Sequence, residues 1–224
     1  MQTNLLQRLE DKNLSRDELA RLVEDDFDLL PLLFEGTASP KAAIRYGCGA
    51  VLMTLSEKNP QKLYPYMDNF VELLHSKYRI LCWNALRALA NLTSADVDHK
   101  FDAIFECYYG FLDSPYMVTV ANVVGFSEII VENKPYLAER IASELLKVEN
   151  LKTTPHLTEE CKLVIAEKAI QTFSTLIQYT KNKTALIEFA EKYQISPRNN
   201  LKKMAQTFIN KYKQNKLVGG PDRI

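Results

Sequence analysis

One side of three predicted helices carries side chains that are suited to the recognition of another molecule. Counted from Ser39, Ser76 and Ser114, offsets three, seven, eleven and fourteen fall on one side of a helix. A helix that is covered on its other side should be polar there, yet these positions are mostly aromatic, small or basic. The candidate partner-binding residues on this side and beside it are Tyr46, Met53, Arg79, Trp83, Arg87, Asn91, Asn122 and Glu128.

Trp83 is the central candidate, because Arg79 and Arg87 lie one helical turn away on each side. An aromatic ring flanked by guanidinium groups suits an apolar side chain next to a carboxylate, and aromatic residues and arginines are common anchors of protein interfaces. A structural interpretation competes with this one. A helix that packs on two neighbours has a wide buried arc, so Trp83 and Met53 could instead belong to a core between repeats.

The sequence shows no arrangement typical of catalysis or metal binding. Its three histidines, His75, His99 and His156, are far apart, and no phosphate-binding, dinucleotide-binding, hydrolase or zinc-protease motif occurs. Carboxylates are spread over predicted helix surfaces, where ion pairs between residues four apart are the default interpretation. We therefore expect a protein that is not an enzyme, has no catalytic residues, and uses no metal or cofactor.

The elements that carry these residues are predicted to be helices with one apolar stripe. From Ser76, a segment without Gly or Pro places apolar residues at the i, i+4, i+7, i+8, i+11 spacing of a packed helix. The same spacing recurs from Ser39 and Ser196, and from Ser114 with polar exceptions at Thr119 and Ser127. In this order the stripes are Leu81, Ala85, Ala88, Leu89 and Leu92; Ile44, Cys48, Val51, Leu52 and Leu55; Leu201, Ala205, Phe208, Ile209 and Tyr212; and Thr119, Val123, Phe126, Ser127 and Ile130.

The spacing of these segments predicts a repeat architecture. The first three starts are 37 and 38 residues apart, and the 82 residues from Ser114 to Ser196 make two repeats plus an insertion at residues 149–158. Such self-similarity is typical of solenoids of helix pairs. We predict an all-α, right-handed α-solenoid of about five helix pairs, in which Ser-Pro pairs supply an N-cap and a first helical residue.

This architecture predicts one repeat domain over residues 1–224. Its parts are expected to be capping helices in 1–26, repeats in 27–213 and a flexible tail in 214–224. The second helices of the pairs are predicted at residues 40–56, 77–93, 115–132, 158–180 and 198–213.

Two segments resemble known helical repeats. SPKAAIRYGCGAVLMTL resembles the second helix of a HEAT repeat, and ALANL is similar to the third helix of an armadillo repeat; the resemblance covers about residues 27–213. It implies that the second helices line a concave surface with Tyr46 and Trp83 as walls. In the armadillo family an asparagine at the position that matches Asn91 lines a peptide groove. That family has a tryptophan one helical turn before this asparagine, and this sequence has Arg87 there.

The resemblance implies a function as well as a fold. We expect a non-enzymatic scaffold that binds a peptide or helix of a partner protein on the concave face, and a structural Arg45 that bonds an adjacent loop. The alternative is a nucleic-acid-binding protein similar to HEAT-like DNA glycosylases. The sequence has 28 basic and 28 acidic residues, so no global field attracts nucleic acid or anionic membranes, and neither these nor a small-molecule substrate is an expected partner.

Charge is nevertheless uneven along the chain. Residues 1–38 contain four bases and nine acids, whereas residues 180–224 contain ten bases and three acids. These ends can be solvated faces or an electrostatic docking site. Both interpretations stay open at the level of the sequence.

Cysteine usage and hydropathy predict a cytoplasmic protein. The four cysteines are well separated, without a C-x-x-C pair, and are expected to be reduced. The start of the sequence lacks the basic and apolar regions of a secretory signal. The most apolar stretch, Met117–Val131, is shorter than the ~20 residues of a membrane span.

Overall fold

A computed structural model describes residues 2–213 of the chain. Within these residues the chain is α-helical, with no β-strand and an isolated β-bridge between Thr154 and Leu157. The chain divides into two compact units, Met1–Phe105 and Glu106–Ile224. The single domain over 1–224 stays a prediction, and the predicted tail, 214–224, lies outside the described residues.

The first unit consists of two helix pairs preceded by two short helices. Its helices are α1 (Gln2–Glu10), α2 (Arg16–Asp25), α3 (Leu30–Thr37), α4 (Ala42–Lys58), α5 (Pro60–Leu63), α6 (Met67–Leu74) and α7 (Arg79–Leu92). The pairs are α3 with α4 and α6 with α7, and the two second helices, α4 and α7, pack on each other. Helices α1 and α2 also pack on α4.

The second unit continues the pattern. Helix α8 (Lys100–Gly110) contains the boundary between the units. The helices that follow are α9 (Met117–Asn133), α10 (Ala138–Leu146), α11 (Glu159–Leu176), α12 (Lys183–Glu191) and α13 (Asn199–Lys213). Helix α9 packs on α11, and α11 packs on α13, so the second helices of this unit are neighbours. The described helices therefore form the five predicted pairs.

The apolar stripes are buried as predicted, with two exceptions. All five stripe residues of α4 and all five of α7 are buried, whereas Phe126 of α9 and Tyr212 of α13 are only half-buried. The two polar exceptions on α9 are buried as well. The hydroxyl of Ser127 donates to the carbonyl of Val123 (2.8 Å) and lies 3.0 Å from that of the buried Tyr109, so a hydrogen-bonded pair replaces an apolar contact there.

The predicted Ser-Pro N-caps are wrong, although the helices they mark are present. Helix α4 begins at Ala42 after Lys41, so Ser39 is not its N-cap and Pro40 is not its first residue. The Oγ atom of Ser39 instead accepts the backbone N–H two residues later (3.2 Å), which fixes a turn before the helix. The same turn, with distances of 3.2, 3.3 and 3.2 Å, forms at Ser76, Ser114 and Ser196.

Arg45 holds the turn before α4 in place, as the sequence predicts. It is buried, and its Nη1 atom donates to the carbonyls of Ser39 (2.7 Å) and Pro40 (3.1 Å). Its guanidinium carbon lies 3.7 Å from the ring centroid of Tyr78 and 4.7 Å from that of Tyr46. Two carbonyls and two aromatic faces thus compensate the buried charge.

The predicted insertion folds back on the start of α9. A 3₁₀ turn, Lys147–Asn150, is followed by a non-helical stretch that reaches Thr158, the N-cap of α11. Its Thr154 hydroxyl donates to the carbonyl of Pro115 (2.6 Å), and the His156 ring stacks on Tyr116 with the centroids 4.8 Å apart. The insertion therefore has fixed contacts within the second unit.

Hydropathy gives one further result for the part of the chain that the structure covers. Among residues 2–213, no helix combines the length and the apolar character needed to cross a membrane.

Candidate functional site

The second-helix face of the first unit is the side of α4 and α7 opposite their buried stripes. Here Tyr46, Met53 and Trp83 are half-buried, and Arg79 is exposed. Leu81 and Leu89, on the stripe of α7, are fully buried by comparison. Because the aromatic and methionine side chains keep part of their surface accessible, this face presents apolar area to solvent.

Tyr46 is oriented by its neighbours. Its ring meets that of Tyr78 edge to face, with centroids 6.2 Å apart, and Arg45 lies against both rings. A half-buried ring held by two such contacts has little rotamer freedom left to lose on binding.

Two predicted site residues of α7 are engaged with α4. Arg87 forms an ion pair with Glu57 at 2.9 Å, and the side chains stay 34% and 58% exposed, so the pair contributes little to stability. A carboxylate of a partner can compete for this guanidinium. Asn91 differs, because it is buried and its amide donates to the Ser56 hydroxyl at 3.0 Å. We therefore leave Asn91 out of the binding surface.

The second-helix face of the second unit begins with Asn122 and Glu128 of α9, which are both half-buried. A carboxylate oxygen of Glu128 accepts a hydrogen bond from the Thr175 hydroxyl at 2.8 Å. Gly125, which lies at offset eleven of α9 counted from Ser114, is covered by Lys168, since a Cβ atom at Gly125 would lie 2.4 Å from Lys168 Cε. This part of the face is occupied by the protein's own side chains.

A pocket of about 430 Å³ opens between α11 and α13, where residues of the second-helix face meet residues of the α13 stripe. Its floor is the buried Phe208 and the half-buried Met204 and Tyr212. The Tyr212 hydroxyl donates to the carbonyl of Ser174 at 3.1 Å, which joins the two helices at one end of the pocket. We call this cavity the α11–α13 pocket; its lining residues are Glu167, Ser174, Asn200, Lys203, Met204, Thr207, Phe208, Lys211 and Tyr212.

Sequence reasoning missed this pocket, although the signal was present. Counted from Ser196, Lys203 and Thr207 occupy offsets seven and eleven, which are the offsets of Trp83 and Arg87 counted from Ser76. The predicted face includes only the helices counted from Ser39, Ser76 and Ser114. Lys203 and Thr207 thus hold positions of the predicted face in the last repeat, whereas Phe208 and Tyr212 of the same lining belong to the apolar stripe of α13.

A larger cavity of about 660 Å³ lies in the first unit, at the turns between α3 and α4 and between α6 and α7. The rings of Phe34 and Tyr66 stack there with centroids 5.5 Å apart. Its rim carries charges of both signs, from Glu35, Glu72 and Lys77. Its lining comes mainly from α3 and α6 together with these turns, so it does not lie on the second-helix face.

The groups with shifted pKa values have structural explanations. Burial and a hydrogen bond to Asp96 raise the pKa of Tyr64, and burial raises the pKa of Tyr109 and brings that of Cys48 to about 12. The Tyr64 hydroxyl donates to Asp96, whose carboxylate caps the start of α8, at 2.8 Å. The Tyr109 hydroxyl is hydrogen-bonded to that of Ser127 at 3.0 Å. Among residues 2–213, no group of three or more His, Cys, Asp or Glu side chains is placed to hold a metal ion.

Comparisons with known proteins bear on the fold alone. No protein-family model and no curated protein matches the sequence. A designed armadillo repeat protein superimposes with a TM-score of 0.61 at 18% identity, over 93% of this chain and 92% of that one. An engineered protein superimposes with a TM-score of 0.58 at 17% identity, over 87% and 84% of the two chains. With the five helix pairs described above, these similarities show that the chain has an all-α helical-repeat fold of the armadillo and HEAT type.

Proposed function

We propose that this protein is a non-enzymatic interaction scaffold that binds a peptide or a helix of another protein on its second-helix face. The observation that carries the proposal is the α11–α13 pocket, whose volume of about 430 Å³ suits one or a few side chains of a partner. One lining residue, Lys203, falls at offset seven, which is the offset of Tyr46 and Trp83 on this face of the first unit. Each unit therefore offers anchors of its own.

The chemistry of these anchors supports a polypeptide partner. Interface cores are rich in aromatic residues, Met and Arg, and the exposed part of this face combines Trp83 and Met53 in one unit with Met204 and Tyr212 in the other. Tyr64, Tyr109 and Cys48, whose pKa values are raised, do not line the pocket and supply no acid and base pair there. We place this function in the cytoplasm, where the free thiols stay reduced.

A displayed library of random peptides tests the proposal directly. The full chain is immobilised, binders are selected, and their dissociation constants are measured by fluorescence anisotropy with the wild type and with Met204→Lys. The substitution places an ammonium group on the pocket floor, so peptides bound there should lose ~10-fold or more in affinity. The matched control is Ile195→Lys, which also replaces an apolar side chain with lysine. Ile195 is 90% exposed and does not line the pocket.

Trp83→Ala tests the first unit in the same assay. Loss of an aromatic anchor typically costs about 2 kcal/mol of binding, or about 30-fold in the dissociation constant. Thermal unfolding of the same variant separates binding from packing, because a ring that served mainly as core would lower stability by about 3–5 kcal/mol. Selected peptides whose affinity is unchanged by both variants would refute this proposed function.

A further inference from the structure

The charges of the α11–α13 pocket allow its partner to be described more closely. Lys203 and Lys211 are exposed on α13, on either side of the apolar floor. Among residues 2–213, neither has a carboxylate within ion-pair distance; the Lys211 ammonium lies 5.1 Å from the ring centroid of Tyr212. Within the described part of the chain, two lysines without an anionic partner therefore border the pocket.

The acidic residue of the pocket does not neutralise these lysines. Glu167 accepts a hydrogen bond from Nε of Arg198 at 2.7 Å, and the same guanidinium donates to Glu160 at 2.8 Å. The bonds to Glu167 and Glu160 raise the pKa of the Arg198 guanidinium. The carboxylate of Glu167 is thus already paired, and the unpaired charge of the lining is positive.

The spacing of the two lysines defines the length of a matching partner. They are eight residues apart on one α-helix, which corresponds to about 12 Å along its axis. Met204 and Phe208 lie one and five residues after Lys203, so the apolar floor falls between the charges. The complement is a segment with an apolar centre and a carboxylate near each end, and residues 180–224 are basic as a whole, with ten bases and three acids.

We propose that the α11–α13 pocket binds an acidic amphipathic segment of another protein. An apolar side chain of the segment packs on Met204 and Phe208, and its carboxylates pair with Lys203 and Lys211. This inference rests on the proposed function and adds the charge of the partner. A protein carboxylate fits better than nucleic acid, because a nucleic-acid site needs a row of phosphate-binding cations and this pocket has two lysines around an apolar floor.

Two displayed libraries that differ only in charge test the inference. Both consist of helical peptides of about 16 residues with random apolar residues at the centre; one has two glutamates eight positions apart, and the other has lysines at those positions. The glutamate library should yield binders and the lysine library should not. The affinity of these binders should fall as salt is raised, since the charges are exposed.

Charge reversal identifies the residues responsible. The variant Lys203→Glu/Lys211→Glu should weaken the glutamate peptides by ~10-fold or more, because two attractions become repulsions. The control Lys152→Glu/Lys183→Glu changes the formal charge equally at exposed lysines outside the pocket and should leave affinity within about twofold. A swap variant of the peptide, with lysines in place of its glutamates, should regain affinity for the reversed pocket.

The outcomes separate this inference from the function on which it rests. Some peptides that lose affinity with Met204→Lys could come equally from both libraries, or bind the Lys203→Glu/Lys211→Glu variant with unchanged affinity. Either result would refute the acidic partner and leave the proposed scaffold function supported. Tighter binding of a single-stranded oligonucleotide than of any peptide, abolished by the same reversal, would overturn it in favour of nucleic acid. Self-association seen by sedimentation and abolished by the reversal would overturn it in favour of a second copy of the chain.

Discussion

The buried pair of Tyr109 and Ser127 gives a quantitative test of the packing in the second unit. The Ser127 hydroxyl donates to the Val123 carbonyl at 2.8 Å, so the Tyr109 hydroxyl, 3.0 Å away, is the donor in their mutual hydrogen bond. Both residues are buried. Removing either hydroxyl therefore has a cost that depends on what the remaining hydroxyl can still bond.

The two single substitutions should differ. Ser127→Ala takes away the acceptor of a buried donor, which should lower the free energy of unfolding by about 2 kcal/mol. Tyr109→Phe should cost only about 1 kcal/mol, because Ser127 keeps its bond to Val123. The double variant removes both hydroxyls, so it should lose about 2 kcal/mol instead of the sum of about 3 kcal/mol.

Urea unfolding of the four proteins, followed by circular dichroism, measures this coupling of about 1 kcal/mol. Equal slopes against urea are required, since a changed slope would mean that a substitution alters the unfolded or partly folded state. A coupling within about 0.3 kcal/mol of zero would refute the assignment, because it would show that the two hydroxyls act independently.

Three further predictions concern groups with internal roles. Arg45→Ala should lower the free energy of unfolding, measured by urea denaturation, by about 2–4 kcal/mol, because it removes two charge-assisted hydrogen bonds and two ring contacts. A loss under about 0.5 kcal/mol would contradict the structural role of Arg45. Burial raises the pKa of Cys48 to about 12, so its thiolate fraction at about pH 8 is about 10⁻⁴. Iodoacetamide should therefore leave Cys48 unalkylated in the native protein and alkylate it in urea-unfolded protein. Mass spectrometry measures both outcomes. The backbone N–H of Lys181, followed by the Thr180 hydroxyl, lowers the pKa of Glu139, so its stabilisation is complete above the unfolded pKa and is lost as pH falls through the folded one. Glu139→Gln should therefore be less stable than wild type at neutral pH, and the difference should vanish only in acid below the lowered pKa of folded Glu139; a difference independent of pH would contradict this.

Burial of the apolar stripes could be predicted because helical periodicity and apolar character act together at those positions. Leu81, Ala85 and Leu89 follow from their spacing alone, and all are buried. The starts of the helices could not be placed to the residue. A Ser-Pro pair favours a helix N-terminus, but a serine hydroxyl can also accept the N–H two residues later, and here this local bond delays the helix.

Polar positions were harder to interpret, because their burial depends on partners that are distant in sequence. Asn91 looked like a groove residue, yet its amide bonds Ser56, 35 residues earlier. Ser127 looked like a gap in a stripe, yet Tyr109 from the preceding helix supplies its partner. The α11–α13 pocket depends on the approach of two helices, which no single periodic pattern encodes.

The repeated helices differ most on the side opposite the apolar stripe, and this difference carries the functional argument. At offset seven, the four serine-marked helices have Tyr46, Trp83, Ala121 and Lys203, whereas their stripes keep small or apolar residues at almost every position. Stripe positions are constrained by burial, since a change of even one methylene is felt in a packed core. The opposite face is less buried, since Trp83 is half-buried and Lys203 is exposed, so we propose that the aromatic residue in the first unit and the lysine beside an apolar floor in the second serve binding. If these side chains served only as solvated surface, replacing Trp83 and Lys203 with small polar residues would change neither stability nor peptide binding. In a scaffold, each replacement would weaken the binding of the selected peptides that contact its own unit, while stability stays unchanged.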